Sequence, residues 1–421
     1  MVQPLWTPAP DRAQATQIAG LARRHGFEGA AAVQDLWQWS VDQAETFWGD
    51  LLKEGVIGSH GQGDPGAVLL DGERMPGARW FPDITLNFAE NLLRRPGPGP
   101  AIIFRGEDGS RRELGWAELE DAVAGLAASL RADGVGAGDR VAGYLPNAPE
   151  AVIAMLAAAS LGAVWSSCSP DFGIAGVLDR FGQIEPKVLL TVDGYHYAGK
   201  RLDIRAKVGE IAAALPSLRR TVVHSFLETA PDLAGIPKAV SFADYLTRPA
   251  PPLAFTRLPF DHPLYVLYSS GTTGQPKAIV HGAGGTLVQH LKEHRLHCDV
   301  RPGERLFYFT TCGWMMWNWL VTGLASGATL VLFDGSPFHP SPDILLDVAA
   351  EEGIAVFGTS AKYLDALKKA GRAPMRTHEL TDLRAILSTG SPLVAESFEW
   401  VYGNVKSDLQ LASISGGTDI V

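Results

Sequence analysis

Short apolar runs and longer stripes of helical period take turns through most of this sequence. "KVLLTV", "RTVVHSF", "LYVLYSS", "RLFYFTT", "ATLVLF", "IAVFGTS" and "DLRAILSTGS" are strand-like, and most precede a helical pattern. The segment "GWAELEDAVAGLAASLRADG" sets Leu119, Val123, Leu126 and Leu130 at spacings of four, three and four, then stops at Gly134. That is one apolar helix face with a glycine terminator. "DRVAGYLPNAPEAVIAMLAAASLGAVWSS" reads as strand, helix, strand, with Asn147 the expected N-cap and Glu150 three residues on. Strands separated by a helix favour parallel pairing, because the crossover returns the chain to the same end of the sheet. The expected fold is α/β, with βαβ subdomains forming mainly parallel sheets flanked by helices.

At 421 residues the chain exceeds one ordinary core of about 100 to 200 residues, so several subdomains are expected. Residues 1–98 read as an N-terminal extension and cover. Within them "DLWQWSVDQAETFWGDLLKEG" spaces Leu36, Trp39, Phe47 and Leu51 as one amphipathic helical face. "RRPGPGP" reads as a linker. Residues 99–250 form a first α/β subdomain, and residues 251–421 a second one, incomplete at its C-terminus; the prolines of "RPAPPLAF" mark the change.

A formal charge of −10, with 46 % apolar and 19 % charged residues, describes a globular protein without the basic face of a nucleic-acid or membrane-surface binder. Anionic ligands then need local positive groups. The apolar run Val152–Trp165 is shorter than the roughly 20 residues a membrane crossing needs, and reads as a buried helix entering a strand. Cys168, Cys298 and Cys312 are far apart with no CxxC, which argues against a disulfide framework and a zinc site. With no signal-peptide pattern at the start, a cytoplasmic location is expected. No motif sets the oligomeric state.

The sharpest local feature is "LYVLYSSGTTGQPKAIVH", residues 264–281. Ser269, Ser270, Gly271, Thr272, Thr273, Gly274 and Lys277 follow an apolar strand directly. A plain hairpin turn needs two to five residues and gains nothing from a run of hydroxyls. Small residues leave backbone N–H groups open to surround phosphate oxygens, and the lysine adds a point charge. The common nucleotide loop GxxxxGK does not fit, because Gly274 is followed by "QPK", and GxGxxG is absent here.

This stretch resembles, residue for residue, the signature SSGTTGxPK of the adenylate-forming superfamily, which includes acyl-CoA synthetases, luciferases and adenylation domains. The resemblance implies that the loop holds the β- and γ-phosphates of ATP. "ILSTGSPL" resembles the family's adenine-contacting strand and turn, which assigns that contact to Gly390, Ser391 and Pro392. "SISGGTDI" resembles the strand-end segment beside the α-phosphate. It implies nucleotide contacts for Gly417 and Thr418, and Mg²⁺ binding for Asp419, where many members carry glutamate. Lys277, Thr418 and Asp419 become the expected catalytic groups. The family's ribose aspartate, hinge and small C-terminal domain follow this segment, so the chain is expected to be the large domain with the small one absent.

"DLWQWSVDQAETFWGDLL" and "ARWFPDITLNFAENLL" resemble the acetyl-CoA and acetoacetyl-CoA synthetase branch. The implied substrates are acetoacetate, ATP and coenzyme A, with Mg²⁺. Where acetyl-specific members carry a pocket-closing tryptophan stands Gly416, which leaves room for a longer acyl chain. "TTCGWMMWNWL" would form the facing wall through Trp314, Met315 and Asn318, although Trp317, Trp319 and Leu320 fit a buried helix equally well. In "YAGKRL", Lys200 and Arg201 are candidates for the phosphates of CoA, or solvated surface charges. Two other readings stay open: a CoA ligase for another short or branched acid, and a catalytically incomplete nucleotide-binding fragment.

Overall fold

A computed structural model describes residues 4–59, 66–94, 96–269 and 274–421. Its centre is a pair of seven-stranded sheets. The first runs, in spatial order, through Ala239–Ser241, Arg220–His224, Val188–Val192, Arg140–Tyr144, Val164–Cys168, Pro263–Ser269 and Lys277–Gly282. The second runs through Gln410–Ser413, Ala385–Thr389, Ile354–Ser360, Arg305–Tyr308, Thr329–Asp334, Ile102–Gly106 and Arg111–Leu114. Every pairing in both is parallel except the last, which is an antiparallel hairpin. The α/β reading of the sequence therefore holds, and every apolar run quoted above contains a strand.

The sheets do not follow the expected division at residue 250. The second takes its edge hairpin from 102–114, and the first takes its own from 263–282. Proline-rich composition marks a bend in the chain, but sheet membership is decided by pairing across more than one hundred residues.

The helix Trp116–Ala132 shows how the stripe works. Glu118 accepts the Gly115 N–H at 2.8 Å, which satisfies an otherwise orphaned donor at the helix start. Leu119, Val123, Leu126 and Leu130 are all fully buried, each contributing about 1.5 to 3 kcal/mol of transfer free energy. Gly134 ends the element at φ +77°. The face packs on Pro149–Ser160, which is buried on all sides and leads into Val164–Cys168 as expected.

Asn147 is not the N-cap of that helix. Pro149 occupies the first turn and Ala148 precedes it, so the helix begins one residue later than a capping asparagine would set it. Asn147 bridges the two sheets instead. Its backbone N–H donates to Asp334 at 2.9 Å and its carboxamide to the Phe333 carbonyl at 3.3 Å, while its Oδ1 accepts from the Trp317 indole at 3.0 Å. The stretch read as one amphipathic face in the N-terminal cover is two helices, Ala32–Asp42 and Ala44–Gly55, broken at Gln43. They bury Leu36, Phe47 and Leu51.

Candidate active site

In open α/β sheets, ligands gather beyond the carboxyl ends of strands where the strand order reverses. Both sheets reverse there: Arg140–Tyr144 lies between Val164–Cys168 and Val188–Val192, and Arg305–Tyr308 lies between Thr329–Asp334 and Ile354–Ser360. The seam bridged by Asn147 joins these two ends. Ser167 donates to the Cys312 carbonyl at 2.6 Å, which adds a second stitch.

Ser269 ends one limb of the first sheet's edge hairpin, and Lys277 starts the other directly opposite. Ser270, Gly271, Thr272 and Thr273 lie outside the described residues. Gly274 has φ +97°, a conformation costly for any residue with a Cβ. Lys277 is exposed, and His281, four residues along the same strand face, is buried.

Sequence reasoning gave His281 no role. Its ring lies 5.4 Å from that of Tyr265 and within hydrogen-bonding reach of the Thr418 backbone. Burial lowers its pKa, against the opposing pull of the Thr418 contact and the nearby Asp419 charge. Its Nε2 has no partner among the described residues. The His281 ring thus lies between the Lys277 strand and the 418–419 segment. Only the position of a lone histidine after the loop could have pointed to it.

The turn after Ala385–Thr389 places Gly390 at φ +84°, with Ser391 and Pro392 exposed beside it. It is stitched to the last strand's exit: Ile414 N–H donates to the Ser388 carbonyl at 2.8 Å, and Leu393 N–H to Ser413 Oγ at 3.2 Å. The two segments assigned to nucleotide contact are thus neighbours. A Cβ added at Gly417 would collide with the Asp419 carboxylate, which folds back over it. Gly416 has open space around an added Cβ and no positive φ.

The helix Met315–Thr322 carries most of the "WMMWNWL" stretch, and Trp314 caps its start. Trp317, Trp319 and Leu320 are core, and Trp314 is 63 % exposed at the helix start. Asn318 is fully buried. Its amide N–H group reaches the Trp314 carbonyl at 3.4 Å, and its Oδ1 is unpartnered among the described residues. Lys200 and Arg201 stand elsewhere, on the hairpin Gly194–Tyr197/Lys200–Asp203. Glu107 fastens its tip by accepting the Ala198 and Gly199 N–H groups, and Arg201 pairs with Glu228 at 3.2 Å.

Residues 88–416 match the family model described as AMP-binding enzyme, and residues 33–92 match that of the acetyl-coenzyme A synthetase N-terminus. The chain belongs to the AMP-binding enzyme family. Among its relatives in this family is the acetoacetyl-coenzyme A synthetase of Rhizobium meliloti (strain 1021), 54 % identical over all of this chain and 64 % of the relative. That of Gallus gallus is 46 % identical over 93 % of this chain and 60 % of the relative. A solved structure of acetoacetyl-CoA synthetase from Streptomyces lividans superposes with a TM-score of 0.91 at 46 % identity, over 99 % of this chain and 65 % of that one. The chain thus spans a little under two thirds of the length of these AMP-binding enzymes.

Proposed function

We propose that this chain is the nucleotide-binding large domain of an AMP-forming acid–thiol ligase that activates acetoacetate and passes it to coenzyme A. The observation that carries the reading is the stitching of the 390–392 turn to the exit of the last strand just before Thr418 and Asp419, through Ile414 N–H to the Ser388 carbonyl and Leu393 N–H to Ser413 Oγ. The names of its relatives support acetoacetate as the acid.

A carboxylate is a poor acyl donor because oxide is its leaving group. Attaching AMP and expelling pyrophosphate replaces oxide with a phosphate ester, which the CoA thiol then displaces. The first step brings two anions together. Lys277, the amides and hydroxyls of the 269–274 loop, and the Thr418 hydroxyl offset their repulsion. Gly390, Ser391 and Pro392 receive adenine, and Gly417 lets the backbone come close to the nucleotide.

The residues fit Mg²⁺: Asp419 is an exposed hard-oxygen ligand folded over a glycine that leaves it room. Asp419 with Thr418 would hold the ion, which when bound supplies charge neutralisation on the phosphates. Trp314, Met315, Asn318 and Gly416 border the acyl group. Lys200 is the better placed of the two hairpin cations for CoA phosphates, since Arg201 already pairs with Glu228. The substrates are small molecules, and the proposed location is the cytoplasm. Among the described residues no helix is long and apolar enough to cross a membrane.

Acid-dependent exchange of pyrophosphate into ATP by the full-length enzyme tests the reading. Exchange with acetoacetate well above that with acetate, butyrate or branched acids is expected. Exchange driven equally by the other acids removes the substrate assignment, and none with any acid removes the activity.

A further inference from the structure

The hairpin carrying Lys277 leaves its sheet early. Pro263–Ser269 pairs with Val164–Cys168 where Tyr265 faces Trp165. From Val266 outward its continuing strand partner is Lys277–Gly282. A two-stranded ribbon is marginal on its own in water. This one carries Lys277 at its outer end, opposite Ser269.

The helix Ile174–Ile184 braces both limbs. Tyr268 donates its hydroxyl to the Arg180 carbonyl at 2.9 Å, and Gln183 donates its amide to the Pro276 carbonyl at 2.9 Å. The Arg180 guanidinium lies 5.7 Å from the Tyr268 ring centroid and 4.6 Å from that of Phe172. Its N–H donates to the Gly176 carbonyl at 2.7 Å, and no carboxylate pairs with it among the described residues.

Phe172 is itself fastened, since the Tyr144 hydroxyl reaches its carbonyl at 2.7 Å. Its ring edge would lie 3.7 Å from a Cβ added at Gly313, the residue before Trp314. A row of contacts thus runs from the stem of the loop to the start of the proposed acyl wall. An arginine suits the middle of that row, because its planar guanidinium stacks on ring faces while its N–H groups still bond the helix.

We propose that Arg180 is a positioning residue that fixes the outer end of the hairpin, at Tyr268 and Lys277, by holding the stem against Phe172, with Gln183 fixing the other limb at Pro276. This rests on the nucleotide-binding reading for its consequence, though not for its mechanics. Locking the stem leaves Lys277 fewer arrangements to lose when phosphates bind, so releasing it weakens binding without touching a phosphate contact.

The test uses Arg180→Met, Arg180→Lys and Gln183→Ala in the 421-residue chain, with two readouts: tryptic cleavage after Lys277 under native conditions, and MgATP affinity by calorimetry. Arg180→Met is expected to speed cleavage after Lys277 about tenfold while cleavage at other sites is unchanged, and to weaken MgATP about fivefold. Arg180→Lys, which keeps the cation but not the flat stack, should recover part of both. Gln183→Ala should show a smaller change of the same kind, and carries the test if Arg180→Met fails to fold. Cleavage at the wild-type rate, or equal acceleration at every site, overturns the brace. Selective acceleration in a chain whose wild type binds no ATP leaves the brace standing and removes the nucleotide reading. A wild type that binds ATP with variants unchanged in both readouts does the reverse.

Discussion

The two sheets are built to one plan and used differently at their edges. Each grows outward from a central parallel strand and ends in an antiparallel hairpin. In the second sheet that hairpin, Ile102–Gly106 with Arg111–Leu114, closes in a tight turn where Ser110 N–H donates to Asp108 at 3.0 Å. Its charges are spent internally: Glu352 is 2 % exposed and accepts from Arg105 and Arg111, each at 2.8 Å. In the first sheet the matching hairpin leaves Lys277 exposed. One topology thus yields a sealed edge where cations meet carboxylates, and an open edge where a cation stands exposed.

Neutralising the open edge should have the largest effect. Lys277→Ala is expected to slow adenylate formation in the full-length enzyme about a hundredfold or more, read by single-turnover quench, with melting temperature unchanged. A wild-type rate would erase the functional half of the contrast.

On the proposed reading, the exit of the second sheet's last strand bears on acyl choice. Gly416→Trp should shift preference from acetoacetate toward acetate by roughly 10- to 200-fold in relative kcat/KM. The open space around Gly416 and its ordinary φ make a folded variant the expected outcome, checked by circular dichroism. A folded variant with the wild-type ratio would move the acyl group elsewhere.

At the sealed edge, Glu352→Gln is expected to lower stability by about 2 kcal/mol in denaturant titration, because it breaks a shared ion pair whose Arg111 stays partly hydrated. The single-turnover rate should not change. A slowed rate with intact stability would mean the two edges are not divided as described.

The smallest effect concerns the seam. Burial pushes the Asp334 carboxyl up to about 7, only partly opposed by the Asn147 N–H. Since the folded value lies above the unfolded one, the unfolded chain releases this proton first, and stability falls as pH rises from about 4 through 7. Between about pH 6 and pH 8 the loss is about 1 to 2 kcal/mol from this group. Asp334→Asn, which keeps the acceptor oxygen, should flatten that slope in melting curves; an unchanged slope would place the titration elsewhere.

Most strands and the Trp116–Ala132 stripe were legible because period and apolar content are local properties. The glycine turns at 274 and 390 were legible as motif positions, and both show the positive φ that only glycine adopts cheaply. Asn147 was misread because "PNAPE" looks like a helix start, while its actual partners at Phe333 and Trp317 are remote in sequence. His281 offered only its position after the loop as a local signal, since its neighbour Thr418 is remote in sequence. The assignment of 102–114 to the second sheet was hidden for the same reason.

That assignment also sets an order in time. Ile102–Gly106 is synthesised early, yet its parallel partner, Thr329–Asp334, is more than two hundred residues downstream. Until that stretch leaves the ribosome, the early hairpin has an unpaired apolar edge, while the strands between 140 and 241 already have one another. Closing so long a loop before any contact rewards it makes the second sheet the slow step of folding, and its waiting edge the place where newly made chains would stick to each other.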